Sequence, residues 1–183
     1  MRLVSVRGPV GLAPGLVALA AVCLAPRPAA AGDPVPLDSH YGGTFTLALD
    51  STGAGDLRFA GPGISSHLGL GAVAGRSLTT PSPTDPLVSI IDPDHDAVTL
   101  VAANGDELYL SNSGEDRLDL STPGRVFIRG SGTFRVTGGT GRFAGATGSG
   151  TFAVVAAVTG FDDAGPVGTF DLRFTGTISP PGG

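Results

Sequence analysis

The 183-residue chain has no tryptophan, one methionine and a single cysteine, Cys23, and none of its eleven basic residues is a lysine. One cysteine cannot close an intramolecular disulfide, so a packed core must hold the fold together. It also restricts thiol chemistry to Cys23. No G-x-S-x-G elbow is present, which argues against serine-triad hydrolysis. No basic run exists either, and a formal charge of −5 repels a phosphate backbone, so nucleic acid is not an expected partner. What the chain does have is 30 glycines and 15 prolines without a triplet period, together with 41% hydrophobic residues. That composition excludes collagen and argues for a packed domain over disorder.

The first 31 residues read as an export leader. Arg2 and Arg7 give a positive start, Gly11 to Leu24 is apolar but broken by Pro14, and Ala29, Ala30 and Ala31 offer small residues before Gly32. A membrane span needs about 20 apolar residues, which this interrupted segment does not supply, so no span is expected in the mature form. Lipidation at Cys23 would want a small residue where Val22 stands. The expected organisation is a signal peptide over 1–31 and one domain over 32–183, secreted or periplasmic. Loss of the leader removes Cys23, Arg2, Arg7 and Arg27 and no acid, leaving 152 residues with a formal charge of −8.

Strand patterns dominate the rest. From Gly168 to Ile178, Phe170, Leu172, Phe174 and Ile178 alternate with Thr169, Asp171, Arg173, Thr175 and Thr177, a period of two. Val126, Ile128, Phe134 and Val136 alternate likewise with polar neighbours, with a bend expected at Gly130 and Gly132. Phe45, Leu47 and Leu49 form a third set. Further strands are expected over Ile64–Ala74, Leu87–Ile91, Val98–Ala102, Glu107–Ser111 and Phe152–Val158, with Asn104-Gly105 as a hairpin turn. Thr79 to Pro86 holds three prolines and reads as a surface loop, and the tail from Ser179 to Gly183 as frayed. About eight strands with short turns predict an all-β, eight-stranded antiparallel barrel in one domain, since closure removes exposed edges.

The densest glycine segment is Gly138-Gly139-Thr140-Gly141-Arg142-Phe143, followed by Ala144 to Gly148. Gly138, Gly139 and Gly141 read as a structural turn in which at least one of Gly139 and Gly141 takes positive φ. The segment resembles the GGTG-x-F corner of the allene oxide cyclase and dirigent barrel superfamily, including small exported bacterial members. The HLG at His67 to Gly69, the ANGDEL that ends at Leu108 and the FTGTI from Phe174 to Ile178 resemble the same group, so the likeness spans most of Tyr41 to Ser179. It implies an eight-stranded antiparallel barrel, a fold that in plants serves isomerases and stereochemical guides for radical coupling and that commonly forms oligomers. The corner itself carries no catalytic residue, so no catalytic role transfers through it.

Among the polar residues, Asp92, Asp94 and Asp96 alternate around Pro93 and His95, but the glycine and distal acid of a calcium loop are missing, so a solvated hairpin tip is expected and no metal. His40 reads as a partly exposed side chain. His67, Glu107, Tyr109, Arg129 and Asp171 fall on the less apolar faces of their strands. If those faces line the barrel, the five form a ligand-binding set of acid, base and phenol; if not, they make weak surface pairs. The filled interior usual of small barrels makes the outward arrangement the expected one.

No cofactor is expected, and the expected partners are an apolar small molecule and further copies of the chain. The leading reading is a non-catalytic barrel that binds a hydrophobic ligand or serves as a structural module. The alternatives are an isomerase or cyclase acting on a hydrophobic molecule, and an oligomeric surface protein with a filled barrel. The state of the lumen decides among them.

Overall fold

The computed structural model describes residues 32–179, so the expected leader, Cys23 and the last four residues lie outside the described residues. Eight strands run β1 (Val35–Leu49), β2 (Gly55–Ser65), β3 (Gly69–Pro81), β4 (Val88–Ala102), β5 (Glu107–Asp119), β6 (Phe127–Gly139), β7 (Thr147–Phe161) and β8 (Pro166–Ser179). Each pairs antiparallel with the next, and β8 pairs with β1, closing the barrel. The only helix among the described residues is a short 3₁₀ turn at Gly141–Phe143, so none there is long and apolar enough to cross a membrane.

The period-two faces behave as the alternation requires. Leu37, Tyr41, Phe45, Leu172, Phe174 and Ile178 point inward and are buried, while Arg173 and Thr175 are exposed. Phe134 and Phe174 meet edge to face at 5.5 Å, inside one half of the barrel. That half is closed by the short connections at 66–68, 103–106 and 140–146, from which Leu68, Phe143 and Ala146 enter the core. The glycine corner thus supplies a plug. Gly141 has φ 53° and Gly138 φ 143°, conformations costly for a residue with a Cβ. Gly139 is needed for space, because a Cβ there would stand 2.7 Å from the Cβ of Phe143.

The expected number of strands is found, but several boundaries are not where the sequence places them. Ile64–Ala74 is not one strand: β2 ends at Ser65, a turn carries His67 and Leu68, and β3 begins at Gly69. Leu68 turns into the core while Ile64 and Leu70 face out, so the three do not share a face. Conversely, Leu87–Ile91 and Val98–Ala102 belong to a single strand, β4. The residues between them are an irregularity within it, where the register slips against both β3 and β5. The Asp92 to Asp96 segment is therefore a bulge and not a hairpin tip, and Pro93 lacks the N–H that a regular ladder would use there. Thr79 to Pro81 likewise belong to β3, so the proline loop is shorter than expected.

Candidate functional site

The other end of the barrel is open. Connections at 50–54, 82–87, 120–126 and 162–165 surround it, and between them the strands leave a cavity of about 420 Å³. The interior is only half filled, contrary to the expectation for so small a barrel. Phe45, Phe59, Phe152 and Phe170 line it together with Leu47, Leu57, Ile128, Val154 and Leu172. Phe59 and Phe170 pack edge to face at 5.5 Å. At the mouth Leu49, Leu87, Leu120 and Phe161 are exposed, Phe161 by 75%, an arrangement that costs free energy when nothing covers it.

Room for the cavity follows from which side chains point inward. On β7 the inward position Ala156 is small and lines the cavity in the open half, while the space at Gly130 and Gly168 is taken by Asp116 and Phe45. Large inward residues in the closed half, such as Tyr41, Leu100, Leu108 and Phe174, fill it completely. The Tyr41 hydroxyl is buried beside the Ser39 and Ser65 hydroxyls, which bond to each other at 2.8 Å, and burial pushes its pKa up to about 12. It stays a neutral phenol.

One wall of the lumen is polar. β5 presents Leu108, Leu110, Asn112, Gly114, Asp116 and Leu118 on its inward face, in period two. The Asp116 carboxyl lines the cavity without a hydrogen bond from the described residues; burial, helped by the charge of Asp96, pushes its pKa up to about 6. Asp96, in the β4 bulge, is buried and accepts the backbone N–H of Asn112 at 2.6 Å and the Ser77 hydroxyl. Burial raises its pKa too, against the effect of those hydrogen bonds. Asn112 is 5% exposed, and its side-chain oxygen has no partner. The cavity therefore holds an ionisable acid within apolar walls.

None of the five residues singled out from strand faces lines this lumen. His67 lies in the β2–β3 turn, its Nε2 2.8 Å from the Pro36 carbonyl oxygen. Tyr109 donates to Glu107 at 2.6 Å, the one contact within the set. Arg129 donates to Asp119 at 2.7 Å, and Asp171 is 2.6 Å from Nε2 of His40 and 3.9 Å from Arg173. Asp92, Asp94 and Asp96 do not converge: Asp92 accepts from the Asp94 backbone and holds His95, while Asp96 turns inward. Among the described residues no three acidic, histidine or cysteine side chains are placed to hold a metal.

Asp116 and Asn112 were not legible as site residues because Glu107–Ser111 was expected to end at Ser111. Continued in phase with Leu108 and Leu110, the same alternation reaches both. Asp96 was hidden by the turn-like composition around it.

Fold and cavity together define a closed antiparallel barrel of eight strands with an apolar lumen open at one end. No family model matches the chain, and no curated protein does. Among solved structures the chain is similar to the pterocarpan synthase dirigent protein GePTS1, at 13% identity over 81% of this chain and 89% of that one, with a TM-score of 0.41. It is also similar to the pterocarpan synthase dirigent protein PsPTS1, at 11% identity over 84% and 99%, with a TM-score of 0.45.

Proposed function

We propose that this chain is a small exported barrel that takes an apolar small molecule into its lumen and does not transform it. The observation that supports this reading is the cavity of about 420 Å³, walled by phenylalanine, leucine and valine and entered past exposed Leu49, Leu87, Leu120 and Phe161. Pockets for small organic ligands fall in this size range, roughly 300–1,000 Å³, with apolar walls and a few polar groups that set orientation. Ligand contacts then come from the inward residues, and the outward five serve in turn and cross-strand pairs. Titration with a neutral apolar fluorescent probe tests the proposal. One saturable site per chain is expected, and unsaturable partitioning would overturn it.

One observation favours the second reading, an isomerase or cyclase acting on a hydrophobic molecule. A carboxyl whose pKa lies near 6 inside a cavity is suited to exchange protons with a bound molecule near neutral pH. Under the binding reading a recovered ligand leaves the protein chemically unchanged; time-dependent conversion that disappears in Asp116→Asn would establish the enzyme.

Export is part of the proposal and rests on the leader pattern. Mass measurement of the exported form should place its first residue at or near Gly32, and a product that retains Met1 to Ala31 would contradict it.

A further inference from the structure

The lumen contains no cation. Its lining residues include no arginine or histidine, and the chain has no lysine. Its polar groups are Ser77, Thr79, Ser89, Asn112 and Asp116. Ser77 gives its hydroxyl to Asp96, and Asn112 gives Asp96 its backbone N–H. Oδ1 of Asn112 is sealed from solvent and has no donor among the described residues. Four residues nearer the mouth, on the same face of β5, the Asp116 carboxylate receives no hydrogen bond from the described residues.

The open acceptors are thus the Asp116 carboxylate oxygens, with Asp96 adding a second negative charge behind them. A buried acceptor without a donor costs about 1–3 kcal/mol, and a charged one more. A ligand that donates to these atoms removes that cost, and a positively charged donor also offsets the repulsion between the two aspartates. A neutral hydroxyl supplies only the hydrogen bond. An anion would meet two carboxylates and no cation, and is rejected. Phe45, Phe59, Phe152 and Phe170 line the same cavity, and aromatic rings suit a cation as well as a hydrocarbon.

We propose that the lumen selects apolar molecules that carry a protonated amine, the ammonium donating to Asp116. This rests on the reading of the cavity as a ligand site and adds the chemical class of the ligand.

Decylamine and decanol share a hydrocarbon chain and differ in the end group. Calorimetric titration of each, below its aggregation threshold and at about 0.15 M salt to screen the acidic outer surface, separates the two claims. Decylamine is expected to bind about ten- to a hundredfold more tightly than decanol, the reach of one hydrogen bond between charged groups. In Asp116→Asn, a substitution of nearly equal shape, the ratio of the two affinities should fall to near one. Equal binding of both probes by the unaltered protein would overturn the amine selectivity and leave the ligand site standing; a preference that survives in Asp116→Asn would overturn the role of Asp116. If neither probe binds, the ligand site itself is overturned along with this inference. The comparison of probes on the unaltered protein stands even if the variant fails to fold.

Discussion

The Asp116 carboxyl lies over Gly130, its register partner on β6, in the space where a side chain at Gly130 would stand. A Cβ at Gly130 would collide with Oδ1 of Asp116 and come within 2.6 Å of Val154 Cγ1. The bend expected from glycine in the GSG segment is therefore a matter of space: its glycine makes room for the acid that gives the cavity its polarity. Gly130→Ala should displace Asp116 toward the lumen and abolish ligand uptake. It should also lower stability by about 1–3 kcal/mol, the usual cost of overpacking. Denaturant melts and probe titration of the same sample check both effects, and wild-type values in both would show the contact to be soft.

Asp116 should leave a signature in stability against pH. Its pKa is raised in the folded state from 3.8 to about 6, so the folded protein holds this proton more tightly than the unfolded chain does. The resulting stabilisation is complete below about pH 4 and is lost as pH rises toward 6, by at most about 3 kcal/mol and by less where water enters the mouth. Asp50, Asp56, Asp85, Asp92 and Asp119 are held below the usual carboxylate range by hydrogen bonds and arginine partners, so their contribution is lost in the opposite direction, below about pH 4. Stability should peak between these windows. Asp116→Asn should flatten the decline between about pH 4 and 6, and urea midpoints across that range measure it. An unchanged slope would mean that Asp116 is as well solvated as a surface acid.

The inward and outward faces of β6 and β8 should respond very differently to truncation. Phe134 and Phe174 are buried in the closed half, so either changed to Ala should cost about 3–5 kcal/mol. Phe170 borders the existing cavity, and its loss should cost less and weaken ligand uptake instead. Arg135 and Arg173 are exposed, and their replacement by Ala should stay within about 0.5 kcal/mol. Chemical denaturation of the five variants orders them, and equal losses on both faces would invert the barrel.

The alternation on β6 and β8 was legible because every second residue there meets the core. Legibility failed where a residue's role depends on a partner far away in sequence. His67 looked like part of a strand because Ile64, Leu68 and Leu70 are all apolar, yet only Leu68 enters the core. Leu87–Ile91 and Val98–Ala102 looked separate because Asp92 to Asp96 have turn chemistry, while in the barrel Ser77 and Asn112 draw Asp96 inward and keep the strand continuous. The open lumen was not legible at all. It depends on the small inward residue Ala156 falling in the half away from Phe134 and Phe174, which only the register between strands determines.

The glycine corner should act on stability alone. Gly141→Ala places a side chain at φ 53° against the Asp106 carboxylate, and Gly139→Ala meets Phe143 and the Glu107 carbonyl, so each should cost about 1 kcal/mol or more. Phe143 plugs the closed end, away from the cavity lining, so ligand affinity of the folded fraction should not change. Probe titrations corrected for the folded fraction check this. Loss of affinity at full stability would move the corner from scaffold to site.

Filling the lumen is the most direct test of the central claim. Ala156 is 7% exposed and lines the cavity between Ile128 and Phe170, its register partners on β6 and β8. Ala156→Phe puts a ring into that space while every outer surface stays the same. Titration of wild type and variant with the neutral apolar probe, with Tm measured alongside, should show one site lost and a Tm at or near that of wild type. Undiminished probe binding by a folded Ala156→Phe protein would place the ligand outside the barrel and contradict the account.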